Sequence, residues 1–176
     1  MDDIVEAALR KWPNVPHCYG WLALDARGNW FMRDARMQAA GRFPQQKGSR
    51  IEHRKLLEFI ERNYTCDAGG KWYFQNGPQR VYVQLEAAPW VWRVDSAPDF
   101  ALHSHTGQRA TARSAWLDEH GRLFIDSDIG FGIVHTLDML AAAEAVEAGV
   151  WQPADTEFTR MPARFGFVLD PEAPPV

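Results

Sequence analysis

Cysteine is nearly absent: Cys18 and Cys66 are the only two in 176 residues. Neither lies in a Cys-x-x-Cys or Cys/His spacing, which excludes a disulfide framework and a zinc site built on cysteine and leaves buried reduced thiols as the expectation. Long hydrophobic runs are missing too, since no apolar stretch approaches the roughly 20 residues that cross a bilayer. The start, Met1-Asp2-Asp3-Ile4-Val5-Glu6, turns from acidic to amphipathic and lacks the basic and apolar regions of a secretion signal, so the cytoplasm is the expected compartment. A formal net charge of −4 with both signs interspersed leaves no basic stripe to track phosphates, and nucleic acid is not an expected partner. What the chain does have is a hydrophobic fraction of 46%, enough to bury a proper interior.

One motif recurs. Asp25-Ala-Arg-Gly28-Asn-Trp30, Asp67-Ala-Gly-Gly70-Lys-Trp72 and Asp118-Glu-His-Gly121-Arg-Leu123 each place Asp-x-x-Gly before an aromatic or leucine-led apolar run. Aspartate bonds the backbone and glycine supplies positive φ, so each copy reads as a β-hairpin turn. Around these turns the pattern predicts a first helix over Ile4 to Trp12, capped by Asp2 or Asp3 and ended by Pro13. Residues 34–47 read as a polar surface loop. Ser49-Arg50-Ile51-Glu52 has capping-box spacing for a second helix running to about Arg62. Val81, Val83 and Leu85 alternate with polar partners as the clearest strand, followed by a strand at Trp90 to Val94 and another at Phe100 to His105. A last helix is expected over 137–148, with Thr136 as its cap and Gly149 beyond its end, and Phe165 to Leu169 as an edge strand before a fraying Pro-rich tail. The order hairpin, loop, helix occurs twice. The expected fold is therefore α+β, with duplicated hairpin and helix units, mainly antiparallel sheets, and two closely packed halves, 1–95 and 96–176.

Several residues could carry chemistry. His103 and His105, two apart on a predicted strand, would share a face and could reach one metal, with a carboxylate as third ligand and a bound water as nucleophile or base. The further ligand candidates His17, His120, Asp126, Asp128 and His135 show no recognisable spacing, so two histidines hydrogen-bonded in a partly exposed groove is the favoured reading. Asp128-Ile-Gly130-Phe-Gly132-Ile-Val-His135 has the outline of a dinucleotide-binding loop, but His135 fills the position that needs a small residue, which favours a simple strand-to-helix turn. Eight tryptophans are heavy for this length, and most are expected in packed interiors; Trp90 and Trp92 share one strand face.

The succession Gly20, the turn at Asp25 to Trp30, Leu56-Leu57, Gly70, Tyr73-Phe74, Val81-Tyr-Val-Gln-Leu-Glu86-Ala-Ala-Pro89-Trp90 and Phe100-Ala-Leu-His-Ser-His-Thr106-Gly107 resembles family 1285 of the bacterial domains of unknown function. That resemblance implies a duplicated α+β fold, a carboxyl-terminal half like a pleckstrin-homology domain, a ligand groove between the halves, and a regulatory or signalling role; it implies no catalytic residues. The chain departs from the family in a longer loop between Asp34 and Gly48 and in Pro78-Gln79-Arg80 before the strand.

The resulting expectation is a noncatalytic binding module without cofactor, whose groove is lined by Arg80, Tyr82, Trp92, His103 and His105. Arg80 would pair an anionic group of a small molecule or protein partner while the rings stack or pack. The alternatives are a metal-dependent enzyme using His103 and His105 and a homo-oligomeric interaction protein.

Overall fold

The computed structural model describes residues 1–173; the fraying expected of the Pro-rich tail lies outside the described residues. The chain forms two units, one comprising Met1–Asp25, Asn29–Glu86 and the segment from Phe167, the other Ala26–Gly28 and Ala87–Gly166. Each unit contains one mixed, mainly antiparallel sheet with helices, an α+β fold in duplicate sheet units. Among the described residues no helix is long and apolar enough to cross a membrane.

In the first unit, α1 (Asp3–Lys11) precedes a three-stranded meander of β1 (Cys18–Leu24), β2 (Trp30–Met32) and β3 (Ser49–Arg50). After α3 (Arg54–Arg62) comes a second meander, β4 (Tyr64–Cys66), β5 (Trp72–Asn76) and β6 (Gln79–Leu85). The sheet order is β3-β2-β1-β6-β5-β4, closed by a parallel pairing of β1 with β6. The second unit repeats this connectivity. Its first meander is β7 (Trp90–Val94), β8 (Leu102–Ser104) and β9 (Arg109–Ala110); its second is β10 (Ala112–Leu117), β11 (Leu123–Ser127) and β12 (Gly130–Val134). Here β7 pairs in parallel with β12, and β13 (Ala154–Asp155) extends the edge beside β10. Helix α4 (Met139–Glu147) follows β12, and α5 (Met161–Phe165) follows β13.

The three Asp-x-x-Gly turns share one geometry. Asp25, Asp67 and Asp118 each donate the backbone N–H to the carbonyl four residues on, at 3.0 to 3.1 Å. In return Oδ1 of each accepts the N–H of that same residue, Asn29, Lys71 or Arg122, at 2.9, 3.0 and 2.8 Å. The fourth position has φ of +78°, +74° and +71°, where glycine is unstrained and a Cβ is not.

Elsewhere long-range pairing overrides local signals. The capping box at Ser49 is not used: Ser49 and Arg50 pair with Met32 and Phe31, so α3 starts four residues later, with Nδ1 of His53 accepting the Leu56 N–H. Asp2 stands at the N-cap of α1 but makes no side-chain cap, because its carboxylate is held by Arg62 and Asn63. Residues 34–47 are not irregular, since they contain α2 (Ala35–Ala40), capped by Asp34. This segment wraps the buried Arg33, whose guanidinium donates to the carbonyls of Gly41 and Gln46 and to Oε1 of Gln84. Lys47 then bridges Asp25 and Glu86 at 3.2 and 3.1 Å; burial works to lower its pKa, but hydrogen bonds to the two carboxylates outweigh it and leave the pKa raised. Cys18 and Cys66 are free, as expected, yet neither is buried: Cys18 is half-buried and Cys66 exposed. The predicted edge strand at 165–169 is instead the end of α5 followed by an irregular segment, where the Leu169 carbonyl accepts the Leu85 N–H.

Gly130 and Gly132 lie within β12 rather than in a turn, and their purpose is steric. A Cβ on Gly130 would come within 2.9 Å of Trp90 Nε1, and one on Gly132 within 2.4 Å of Trp92 Nε1 and 2.7 Å of the Trp90 carbonyl. The two stacked indoles lie across the parallel seam and donate to the carbonyls of Ile129 and Ile125.

Candidate functional site

Strand β6 sends Arg80 and Tyr82 to one face of the first sheet, and β5 sends Tyr73 to the same face because Tyr73 is the register partner of Tyr82. The parallel pairing of Cys18 with Val81 brings the start of β1 alongside, so Tyr19 stacks on Tyr82 at 4.6 Å between ring centroids, with the ring planes nearly parallel. Tyr73 meets Tyr82 edge-on at 5.6 Å, and the exposed His17 approaches Tyr82 at 5.9 Å. Tyr82 donates its hydroxyl to Oδ2 of Asp67, the repeated turn residue, at 3.0 Å. The Arg80 guanidinium lies over the Tyr73 ring at 4.6 Å.

The electrostatics of this face follow from partial burial. Burial raises the pKa values of Tyr19 and Tyr73, keeping both phenols protonated. His17 is lowered, by burial and then by the Arg80 charge, and is neutral at pH 7. Hydrogen bonding to Tyr82 raises Arg80 further above its ordinary value, against a smaller effect of burial. Arg80 is half-buried and no carboxylate lies within ion-pair distance of it among the described residues. The face thus offers a permanent cation beside flat neutral rings, with the Asp67 carboxylate held by the Tyr82 hydroxyl, and it can hold an anionic group by charge-assisted hydrogen bonds to Arg80 and a planar group by stacking. Sequence reasoning named Arg80 and Tyr82 from strand alternation. It missed Tyr73 and Asp67, whose only prior signal was the recurrence of the Asp turn, and Tyr19, which had none.

The other three residues named from the sequence belong to the second unit. Trp92 is completely buried. His103 is partly exposed, with Nε2 3.0 Å from Oδ2 of Asp95. His105 is half-buried with its Nε2 enclosed, its Nδ1 accepts the Val91 N–H at 3.2 Å, and its ring lies 5.6 Å from that of Trp90; enclosure of the ring pushes its pKa down to about 3. The two histidines do not share a strand face, because β8 ends at Ser104 and His105 already belongs to the following turn. Among the described residues no three His, Cys, Asp or Glu side chains are grouped as a metal site. His135, weighed as a ligand and as a loop position, accepts the Leu137 N–H and caps the turn that leads into α4.

Two sheets of identical connectivity, each made of paired meanders, define the chain as a duplicated α+β protein. Residues 1–172 match the family described as "Protein of unknown function (DUF2946)", and the chain belongs to that family. Among solved structures it is similar to a DUF1285 family protein from Silicibacter pomeroyi DSS-3, with a TM-score of 0.53 and 14% identity over 82% of this chain and 84% of that one. A DUF1285 family protein from Shewanella baltica OS155 aligns with a TM-score of 0.48 and 13% identity over 70% of this chain and 91% of that one. The expected likeness to family 1285 is thus present at the level of fold, while the family that matches by sequence is a different one of unknown function. No curated protein matches the chain.

Proposed function

We propose that the protein is a noncatalytic binding module whose first unit recognises a planar, anionic small molecule or an equivalent group on a protein partner. The observation that carries this reading is Arg80: a half-buried guanidinium laid on Tyr73, beside the Tyr19–Tyr82 stack, with no carboxylate within ion-pair distance among the described residues. A cation held by a ring is pre-organised, so less side-chain entropy is lost when an anion binds. His103 is carried as a surface group of the second unit, whereas the complete burial of Trp92 and the enclosed Nε2 of His105 favour a packing role for both. The finer reading is a cytoplasmic regulator or signalling component with a pleckstrin-homology-like second unit. Free thiols at Cys18 and Cys66 favour the compartment, and a seven-stranded sheet with helix α4 after β12 favours the domain comparison.

Native mass spectrometry of gently purified protein, against the same sample denatured, identifies a retained ligand. Arg80→Ala is then expected to abolish its binding with the melting temperature nearly unchanged. Tyr82→Phe, which keeps the buried ring and removes the bond to Asp67, is expected to weaken binding less. A large stability loss with unchanged affinity in Arg80→Ala refutes the assignment.

A further inference from the structure

The opposite face of the same sheet carries a cavity that the Arg80 site does not use. Phe74 and Val81 line it, and they alternate along β5 and β6 with Tyr73 and Tyr82. Its volume is about 300 Å³, and its walls are set by Trp21, Met32, Leu56 and Phe59 with Cys18 and Asn76 at the polar margin. The irregular register between Cys18 and Leu22 in β1 lets the consecutive residues Trp21 and Leu22 both contribute. Helix α3 supplies Leu56, Phe59 and Ile60, while its charged residues Arg54, Lys55, Glu58, Glu61 and Arg62 are not among the lining.

We propose that this cavity is a binding site for an uncharged small molecule of alkyl or aryl character. The argument begins with charge. No Asp, Glu, Lys, Arg or His lines the cavity, so an ionised group entering it would lose its hydration without gaining a partner. Size comes next: the volume sits at the lower end of small-molecule sites, roughly 300–1,000 Å³. It is about twice that of an apolar cavity known to take up a single benzene ring. The rim of the mouth is apolar and open, because Trp21 and Met32, both lining the cavity from adjacent strands, remain 45% and 48% exposed. Met32 is unbranched and polarisable, a side chain that adapts to occupants of different shape. This inference stands apart from the Arg80 reading, since it concerns other residues on the other face.

The test uses full-length Cys66→Ser protein, in which Cys18 is the remaining thiol. The neutral probe N-phenyl-1-naphthylamine is titrated by fluorescence, then displaced with 1-decanol or with decanoate, while alkylation of Cys18 by iodoacetamide is followed by mass spectrometry. Saturable 1:1 binding, displacement by decanol at least tenfold more effective than by decanoate, and slowing of Cys18 alkylation in proportion to occupancy are expected. Met32→Lys should weaken the probe at least tenfold, and if that variant does not fold, Trp21→Lys at the same mouth carries the same expectation. Arg80→Ala should leave probe binding unchanged. Absence of saturable binding overturns the proposal, as does binding that leaves Cys18 alkylation and the mouth variant unaffected, or decanoate binding as tightly as decanol.

Discussion

The two units close their sheets by the same pairing, first strand of one meander against last strand of the other, but with different side chains at the seam. In the first unit the seam is aliphatic: Leu22 faces Val83, Ala23 faces Gln84 and Leu24 faces Leu85. In the second it is aromatic, with the Trp90 indole laid against Gly130 and the Trp92 indole against Gly132. The meanders of the first unit are joined through α3 and those of the second by Thr111 alone, so the second unit has no helix at that point. Buried charge is also distributed unequally. The first unit encloses Arg33 within carbonyl bonds beside α2 and sets Lys47 between Asp25 and Glu86, whereas the second buries one carboxylate, Asp118, against Arg122 and stacks rings such as Phe124, Phe131 and Phe165. One connectivity thus tolerates two ways of filling it, provided each is complete in itself.

The largest effect should come from the aromatic seam. Gly132→Ala drives a Cβ into an indole nitrogen and a backbone carbonyl, neither able to retreat, and should cost about 3 kcal/mol in urea unfolding, near the upper range for overpacking. Ala23→Gly at the aliphatic seam should cost only about 1 kcal/mol, through backbone entropy and a lost methyl; similar costs at the two seams would break the comparison. Next comes the charged set. Arg33→Met leaves the Gly41 and Gln46 carbonyls without their donor and should cost about 2 kcal/mol, with faster limited proteolysis between residues 41 and 47.

A third difference appears in acid. His105 has a native pKa depressed to about 3, so below its ordinary value of 6.5 the unfolded chain takes up a proton that the native second unit refuses. Stability is then full above pH 6.5 and falls as pH drops toward 3, with a slope of at most about 1.4 kcal/mol per pH unit from this group. His105→Gln should flatten that part of the unfolding profile, and an unchanged profile would remove His105 as its cause. The smallest contrast lies in the turns, which the two units share. Asp67→Ala and Asp118→Ala should each cost about 1 kcal/mol, with Asp118→Ala the costlier because its fully buried carboxylate also binds Arg122 Nε.

What was legible in the sequence follows the reach of each interaction. The Asp-x-x-Gly turns were readable because a side chain four residues from its target needs nothing else. Strand alternation identified β6 and β7, and with β6 the orientation of Arg80 and Tyr82. The capping box failed because residues 49 and 50 had a better partner in β2, and α2 was hidden because the bonds that hold its surroundings come from Arg33, outside the segment. Gly130 and Gly132 read as a strand-to-helix turn, whereas they lie inside β12 for a reason that only the indoles of β7 supply. Tyr19 and the cavity depend on β1 meeting β6, a pairing with no local signature in the sequence.

That same pairing bears on how the chain comes together. Leu22 meets Val83 and Trp90 meets Gly132, separations of roughly 60 and 40 residues that raise the contact order above that of hairpins alone. Each meander can zip locally, whereas joining two of them must first offset the entropy of closing a long loop. During synthesis the first sheet therefore waits, with the β1 edge unpaired, until β6 has emerged, and in that interval β1 is open to pairing with the wrong neighbour.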